Sequence, residues 1–218
     1  MNETKSKLLA AALKTLTEQG IAGTSARTIA AAAGVNQALV FYHFGSVDEL
    51  LAAACREAAE QRVTLYRARL ARVESLTELL EVARDLHVQE KAAGHLAVLG
   101  QLLAGAQTQP RLAPATAAGL SSWTVELEHV LTRILARTSL SEFVDTGGLA
   151  TAMSAGFVGF ELYEGVDPDG AEQALAALEQ LAELVGAFDQ LGPVVHLAIR
   201  TQLRRAGRKR ADSPELLA

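Results

Sequence analysis

The stretch IAAAAGVNQALVFYHFGSVDELL, residues 29–51, interrupts a helical pattern with one glycine and resumes it within three residues. Small apolar residues precede Gly34, and glycine readily adopts the positive φ that ends a helix. Polar and aromatic side chains then share a short second segment, although a segment built only for a hydrophobic core would need no such break. The stretch therefore predicts two short helices that meet at a sharp turn.

The neighbouring sequence predicts helices on both sides of this turn. Ser25 is of a residue type that caps the N-terminus of a helix, and SVDE at 46–49 has the pattern of a capping box. Gly20 is placed to end the helix that precedes them. In chain order, the predicted N-terminal helices cover residues 3–19, 25–33, 37–44 and 46–70.

Two short helices joined by a tight turn that contains glycine form a helix-turn-helix. Ala30 is small enough to let the two helices cross closely. Val35 and Val40 can fill the wedge between them, and Phe44 can anchor the second helix to a core. The polar face left outside predicts contact with the major groove of DNA, whereas the alternative is an ordinary helical hairpin in a bundle. Its members are Asn36, Gln37, Tyr42 and His43.

Beyond residue 70 the pattern stays helical, with longer elements. The residues from Gly94 to Thr108 are nearly all apolar, so this segment is expected to be buried on most sides. DPDG at 167–170 has the composition of a turn. The other predicted elements are a helix opened by the capping box SLTE at 75–78 and running to Lys91, a break at Pro110 and Pro114 before a helix that carries Trp123 and Leu127, a helix from 145 to Glu164, a helix that ends at Phe188, and a last helix that restarts at Gly192 and Pro193.

The composition of the chain favours an all-α fold. Half of the 218 residues are hydrophobic but only 5% are aromatic, and abundant Ala and Leu favour helices over strands. Cys55 is the only cysteine, which excludes an internal disulfide and fits a reducing cytoplasm. No apolar run approaches the roughly 20 residues that span a bilayer, and the amphipathic N-terminus differs from a signal peptide.

Charge is distributed unevenly along the chain, whose formal net charge is −5. Residues 1–50 hold four basic and four acidic groups and are neutral. Residues 51–199 hold ten basic and nineteen acidic groups, whereas residues 200–210 hold six basic groups and no acid. The central body is therefore acidic, and the basic end is expected to be a solvated helix terminus, where cations are favoured.

The sequence TSARTIAAAAGVNQALVFYHFGSVDELL, residues 24–51, resembles the DNA-binding domain of TetR-type (tetracycline-repressor-like) transcriptional regulators. The resemblance covers about residues 5–52. It rests on Thr24-Ser25, Ile29-Ala30, the Ala33-Gly34-Val35 turn, the aromatic cluster at 41–44 and Leu50. The rest of the chain is similar to the family only in length and helical character. The resemblance implies a helix-turn-helix domain over 1–52, a helical ligand-binding and dimerisation domain over 53–210, and a disordered tail over 211–218.

The resemblance also implies where DNA is contacted. Residues 36–43 would lie in the groove, and side chains at the start of the preceding helix would approach phosphates, as helix N-termini and hydroxyls do. The residues assigned to DNA in this way are Thr24, Ser25, Arg27, Asn36, Gln37, Ala38, Leu39, Phe41, Tyr42, His43 and Ser46.

Three positions depart from the family's usual pattern. Phe41, Val47 and Leu39 stand where a Tyr, a Lys and often a Thr commonly bind phosphate. Tyr42 can stand in for the missing hydroxyl, and Leu39 can instead touch a thymine methyl group. Together with the neutral charge of residues 1–50, these replacements predict a weak sequence-independent attraction to DNA.

By the same resemblance, the chain would bind a palindromic operator in double-stranded DNA as a homodimer, through the helices near 147–165 and 171–205. It would respond to a small-molecule effector, which is expected to be apolar or cationic because the acidic body lacks basic groups to pair with an anion. Candidate walls of a ligand pocket are aromatic, with core packing as the default alternative. They are Trp123, Phe157, Phe160 and Tyr163.

Other function classes have less support. No P-loop, dinucleotide-binding turn or nucleophile signature points to an enzyme, and no catalytic residue, cofactor or membrane partner is expected. His87 and His95 lie eight residues apart on adjacent helical segments, and Glu126 with His129 has the i, i+3 spacing of some metal ligands. No further carboxylate or histidine pair accompanies either, so surface or core histidines are expected. The runner-up is a helical small-molecule carrier or interaction protein of the same fold with weakened DNA binding.

Overall fold

The computed structural model of the chain describes residues 3–138, 141–189 and 201–202, and the regular elements within these ranges are all helices. This confirms the all-α prediction. The predicted last helix from Gly192 and the predicted tail over 211–218 lie outside the described residues. The elements are α1 (Glu3–Gly23), α2 (Ala26–Ala33), α3 (Ala38–Phe44), α4 (Val47–Leu70), α5 (Leu76–Ala92), α6 (His95–Thr108), a short 3-10 helix (Pro110–Leu112), α7 (Ala113–Leu135), α8 (Thr146–Glu164) and α9 (Pro168–Asp189).

Glycines and serine caps set the ends of the first helices. Gly34 has φ 66° and its N–H donates to the carbonyls that close α2, which confirms the predicted stop. Ser25 caps α2 by accepting the Thr28 N–H at 3.2 Å. Ser46 caps α4 in the same way, since its Oγ accepts the Glu49 N–H at 3.0 Å. Gly20 also has a positive φ, of 65°, but it kinks α1, which continues to Gly23.

Two predictions about the helical body are wrong. Of the residues in α6, only Leu102 is buried, because within this single chain α6 lies on the surface of the bundle and packs one side against its neighbours. DPDG does not form a separate turn but starts α9. Asp167 accepts the Gly170 N–H at 3.0 Å through Oδ1, and Pro168 occupies the first helical position, where a missing N–H costs nothing.

The interior consists of two clusters of buried side chains. The first core joins α1, α2, α3 and the N-terminal half of α4, with contributions from α6 and α7; Leu8, Leu16, Ile29, Val40 and Leu50 are fully buried in it. The second core joins the C-terminal end of α4 to α5, α7 and α8, around Tyr66, Leu70, Leu79, Val130 and Leu131.

Helix α4 passes through both cores without interruption. Its N-terminal residues Leu50 and Cys55 belong to the first core, and Tyr66 and Leu70 belong to the second. The predicted domain boundary at residue 52 therefore falls inside a continuous helix. Among the described residues no single helix is long and apolar enough to cross a membrane, and α3 with α4 reaches that length and composition only jointly, across a 65° bend.

A buried carboxylate fastens α4 to the two helices that follow it. Glu90 on α5 is 4% exposed, and the Arg62 guanidinium on α4 donates to both of its oxygens. The Tyr66 hydroxyl donates to Glu90 at 3.0 Å, and His95 Nδ1 at the start of α6 lies 2.8 Å from it. Burial alone would raise the pKa of Glu90, but the hydrogen bonds from Arg62, His95 and Tyr66 outweigh it and hold the pKa below its ordinary value.

Replacing Glu90 by Gln is expected to lower the free energy of unfolding by about 2 kcal/mol at neutral pH, because the half-buried Arg62 guanidinium and the Tyr66 hydroxyl lose a charged acceptor. A carboxyl group with a depressed pKa contributes stability above its unfolded pKa of about 4.3 and loses it as the pH falls through the folded value. Urea unfolding at pH 7 and near pH 4 should therefore show the difference between wild type and Glu90→Gln shrinking with acid.

Glu74→Gln is the matched control, since Glu74 and Arg137 form an exposed pair at 3.5 Å, and such pairs contribute less than about 1 kcal/mol. A Glu90→Gln deficit that stays constant between the two pH values would contradict the ionic account of this junction.

Replacing Gly34 by Ala is expected to cost about 1 kcal/mol of unfolding free energy, because a side chain disfavours the left-handed backbone. A Cβ at this position would meet nothing within 4 Å, so the cost is conformational rather than steric. Gly34→Asn is the control, because Asn tolerates positive φ. Equal urea midpoints for the Ala and Asn variants would show that the backbone of this turn does not carry the effect.

Candidate nucleic-acid interface

Helices α2 and α3 meet at the turn around Gly34 and form the predicted helix-turn-helix. The Val35 N–H donates to the Ala30 carbonyl at 3.0 Å, which draws the chain back across the end of α2. Ala30 is 2% exposed and Val40 is fully buried, while Val35 and Phe44 pack against the first core. The small and apolar residues predicted to seat α3 therefore do so, and the opposite face of α3 is left outside.

The outward face of α3 combines polar and aromatic side chains. Tyr42 is 81% exposed and Phe41 is 49% exposed. His43 is half-buried, and its ring meets the Tyr42 ring edge-on with centroids 4.9 Å apart. Gln37 and Ala38 are exposed, whereas Leu39 is half-buried against the first core, which leaves only part of its side chain for a thymine methyl.

Asn36 has a structural role as well as an exposed position. Its Oδ1 accepts the Ala38 N–H at 2.8 Å, so the side chain caps the start of α3. The carbonyl oxygen is thereby directed at the protein backbone, and the amide NH₂ group is the part that can donate to a base or a phosphate. The sequence pattern identified the residue but could not assign its two polar atoms to different tasks.

The residues at the start of α2 differ in what they can offer a phosphate. The Thr24 hydroxyl donates to the Gly20 carbonyl at 2.7 Å, so its proton is engaged inside the protein. Ser25 and Arg27 are exposed, and the guanidinium is a strong donor to phosphate. Ser46, at the start of α4, is half-buried and its Oγ accepts from the helix backbone.

The basic groups of the N-terminal region are partly neutralised. Lys7 pairs with Glu3 at 2.7 Å, and Lys14 lies 4.0 Å from Glu18. Lys5 sits over the Phe44 ring, 5.4 Å from its centroid. Arg27 is exposed and is the basic residue nearest to Gly34 in the sequence, and this small number of cations is in keeping with a small electrostatic contribution to DNA affinity.

The four aromatic residues proposed as pocket walls have different surroundings. Trp123 packs in the second core, 6.0 Å from the Tyr66 ring. The rings of Phe157 and Phe160 meet the His87 ring edge-on, at 6.4 and 5.2 Å. Tyr163 is 52% exposed, and its hydroxyl donates to Asp167 at 3.0 Å.

Sequence inspection missed the polar cluster beside those phenylalanines. His87 on α5 is 8% exposed and contacts Glu161 through Nδ1, while its Nε2 lies 3.3 Å from Glu164. Lys91 donates to Glu164 at 2.6 Å. The glutamates lie 74 and 77 residues beyond His87 in the chain, so no local spacing could have paired them. By contrast, His129 is exposed, and Glu126 pairs with Arg67 at 3.4 Å.

The two glutamates of this cluster have opposite pKa shifts. Burial raises the pKa of Glu161 above its ordinary value, and this outweighs the hydrogen bond with His87 that lowers it. The hydrogen bond from Lys91 lowers the pKa of Glu164.

Known proteins resemble the chain in both sequence and fold. Residues 8–54 match the model of the bacterial regulatory proteins of the tetR family. The HTH-type transcriptional regulator CymR of Pseudomonas putida is 37% identical over 83 residues, which are 38% of this chain and 41% of that protein. The chain spans about half the length of the curated relatives that it matches.

Solved structures extend the likeness to the helical body. A TetR-family transcriptional regulator from Rhodococcus sp. superposes with a TM-score of 0.67 at 23% identity, covering 85% of this chain and 99% of the other. The multidrug binding protein EbrR, complexed with imidazole, superposes with a TM-score of 0.56 at 27% identity, covering 80% and 93%. Residues 8–54 are therefore similar to the tetR family of bacterial regulatory proteins in sequence, and the fold of the chain is similar to that of a TetR-family regulator.

The affinity for DNA is expected to fall only shallowly with salt, because few free cations surround the helix-turn-helix. Log affinity changes with log salt concentration by about −0.9 for each phosphate contacted, so the slope should correspond to fewer than about eight contacts for a dimer. Val47→Lys, at the first position of α4, should steepen the slope by about two units, one for each subunit. Fluorescence anisotropy with labelled duplex across a salt series measures both quantities.

Val88→Lys is the control for that substitution, since Val88 is 60% exposed on α5, outside the first core. A wild-type slope equivalent to eight or more contacts, or an equal gain from both lysines, would contradict this view of the surface.

Proposed function

We propose that the protein is a ligand-responsive transcriptional regulator that binds a palindromic operator as a dimer and acts as a repressor in the cytoplasm. The observation that carries the proposal is the exposed polar and aromatic face of α3, held outward by the turn at Gly34 within the segment that matches the family. A surface-exposed tyrosine beside a histidine and two amide side chains has the hydrogen-bonding groups that read base edges.

Dimer formation is supported by an apolar surface on α8 and α9, which we call the α8/α9 face. It carries large exposed apolar side chains, and a Cβ at Gly156 or Gly159 on α8 would meet nothing within 4 Å of this chain. An apolar patch of this kind on a soluble domain marks an interface. The side chains are Leu162, Tyr163, Val166, Leu178, Leu181 and Leu184.

A dimer also meets the requirement of specificity. One α3 helix reaches only a few base pairs, whereas a two-fold pair presents two such helices to half-sites about one helical turn, or a multiple of it, apart. The distance between the two α3 helices of the dimer is then a quantity that a bound ligand can change.

A small-molecule effector is supported by the likeness to EbrR, which binds imidazole. The acidic charge of residues 51–199 and the aromatic side chains of α8 favour an apolar or cationic compound over an anion. The effector regulates by binding one arrangement of the two reading helices better than the other, and it can change DNA affinity only by that difference.

The alternative of a carrier or interaction protein with weakened DNA binding has one support, which is the absence of a polar group at Phe41 and Val47. Phe41 on α3 is 49% exposed, and Val47 packs partly against the first core. The two functions differ in one respect: a regulator has a specific DNA site, and a carrier has none.

The direct experiment is a gel-shift titration of the full chain against DNA from upstream of its own gene, with unrelated DNA as competitor. A specific complex is expected, and Tyr42→Ala should weaken it by about 1–3 kcal/mol while Val88→Ala leaves it unchanged. A dimeric protein that binds no sequence in that region would favour the carrier.

A second pair of variants tests the role of the dimer. Leu181→Glu places a charge in the α8/α9 face, whereas Leu65→Glu places the same charge on α4, where the wild-type leucine is 68% exposed. Sedimentation velocity should show monomers only for Leu181→Glu, with loss of the gel shift. Specific binding by monomeric Leu181→Glu protein would contradict the dimer requirement.

A further inference from the structure

The helical body contains a polar cluster that DNA recognition and the α8/α9 face leave unused. It consists of His87 on α5 with Glu161 and Glu164 on α8, and Lys91 lies at its edge. We propose that His87, Glu161 and Glu164 form a binding site for one divalent transition-metal ion, of the class to which Zn²⁺ and Co²⁺ belong. Imidazole and carboxylate are the donor types that such ions accept together.

The donor atoms are close enough to share one ion. One nitrogen of His87 and one oxygen of each glutamate lie within 4.8 Å of one another. Around a tetrahedral ion with bonds of about 2.0–2.2 Å, ligand atoms are roughly 3.4 Å apart. His87 and Glu161, which are in direct contact, would therefore have to separate slightly, while the widest pair of donor atoms would have to close by about an ångström. Glu161 and Glu164 are one helical turn apart on α8, so both can face His87 from a single rigid element.

The charge of the cluster favours a divalent cation. The side chains of Glu161 and Glu164 are 9% and 20% exposed. The His87 ring is charged only when it is protonated, and Lys91 is 56% exposed. Two carboxylates removed from water need two positive charges close by. A divalent ion supplies both charges, and the flexible Lys91 side chain then does not have to be held in one position.

The surroundings orient the imidazole for this task. The Phe157 and Phe160 rings contact His87 edge-on and limit its rotation. Three protein ligands leave at least one coordination position open for water or another small ligand.

Metal binding would displace the cations that hold the cluster in the metal-free protein. Lys91 Nζ would leave Glu164, and any proton on the ligating nitrogen of His87 would pass to solvent. Lys91 therefore competes with the ion, and removing its charge should strengthen metal binding. A cluster that serves only as an ion pair between α5 and α8 would gain no metal affinity from the same change.

The test uses the full chain without a polyhistidine tag, stripped of metal with a chelator. Co²⁺ is added while visible absorption is recorded, and Zn²⁺ affinity is measured by competition with a chelating dye. One ion per chain is expected. Because even outer residues of metal sites change affinity 10–100-fold, His87→Ala and Glu164→Gln should each weaken Zn²⁺ binding by at least about tenfold, and Lys91→Met should tighten it.

His95→Ala is the matched control, because His95 also contacts a carboxylate, Glu90, but lies outside the cluster; its Zn²⁺ affinity should equal that of the wild type. Circular dichroism and thermal unfolding establish that each variant is folded, and Glu161→Gln provides a conservative replacement if His87→Ala is not. The proposal is overturned if no Co²⁺ absorption appears, or if the His87 and glutamate variants bind Zn²⁺ as tightly as the wild type. Neither readout depends on DNA binding.

Discussion

The position of the reading helix depends on α4, because this one helix contributes side chains to both hydrophobic cores. Leu50 and Leu51 hold its first turns against α1 and the helix-turn-helix, and Tyr66 and Leu70 hold its last turns in the second core. Its 24 residues, which include neither glycine nor proline, span about 36 Å at 1.5 Å per residue. Helices bend sharply where glycine, proline or a bulge interrupts them, so the sequence of α4 favours one straight helix between the second core and α3.

Polar contacts fix how the body holds that helix. Arg62 on α4 pairs with the buried carboxylate of Glu90 on α5, and His95 at the start of α6 contacts the same carboxylate. One turn before Glu90 on α5, His87 faces the two glutamates of α8. Helix α5 therefore contacts α4 through Glu90 and α8 through His87, and the strength of such polar contacts depends on burial and charge balance more than on area. A ligand or ion that changes this balance acts close to both α4 and the α8/α9 face.

Sequence patterning was most informative where structure is decided within a few residues. The stop at Gly34 and the caps at Ser25 and Ser46 depend on contacts inside one turn of helix, and each could be predicted from residue type and spacing. It was less informative for α6, since an apolar composition does not tell whether an element is buried by its own chain. It also failed at DPDG, because Asp and Pro favour a turn and the start of a helix for the same physical reasons.

The sequence by itself determined the class of fold, the helix-turn-helix and the outward face of Tyr42 and Gln37, because helix periodicity and a single glycine leave few alternatives over a short stretch. Tertiary structure alone decided that Trp123 packs beside Tyr66, that Phe157 and Phe160 contact His87, and that His87 meets two glutamates more than 70 residues away. These outcomes depend on how whole helices cross, and the crossing is set by packing summed over many side chains rather than by any local pattern.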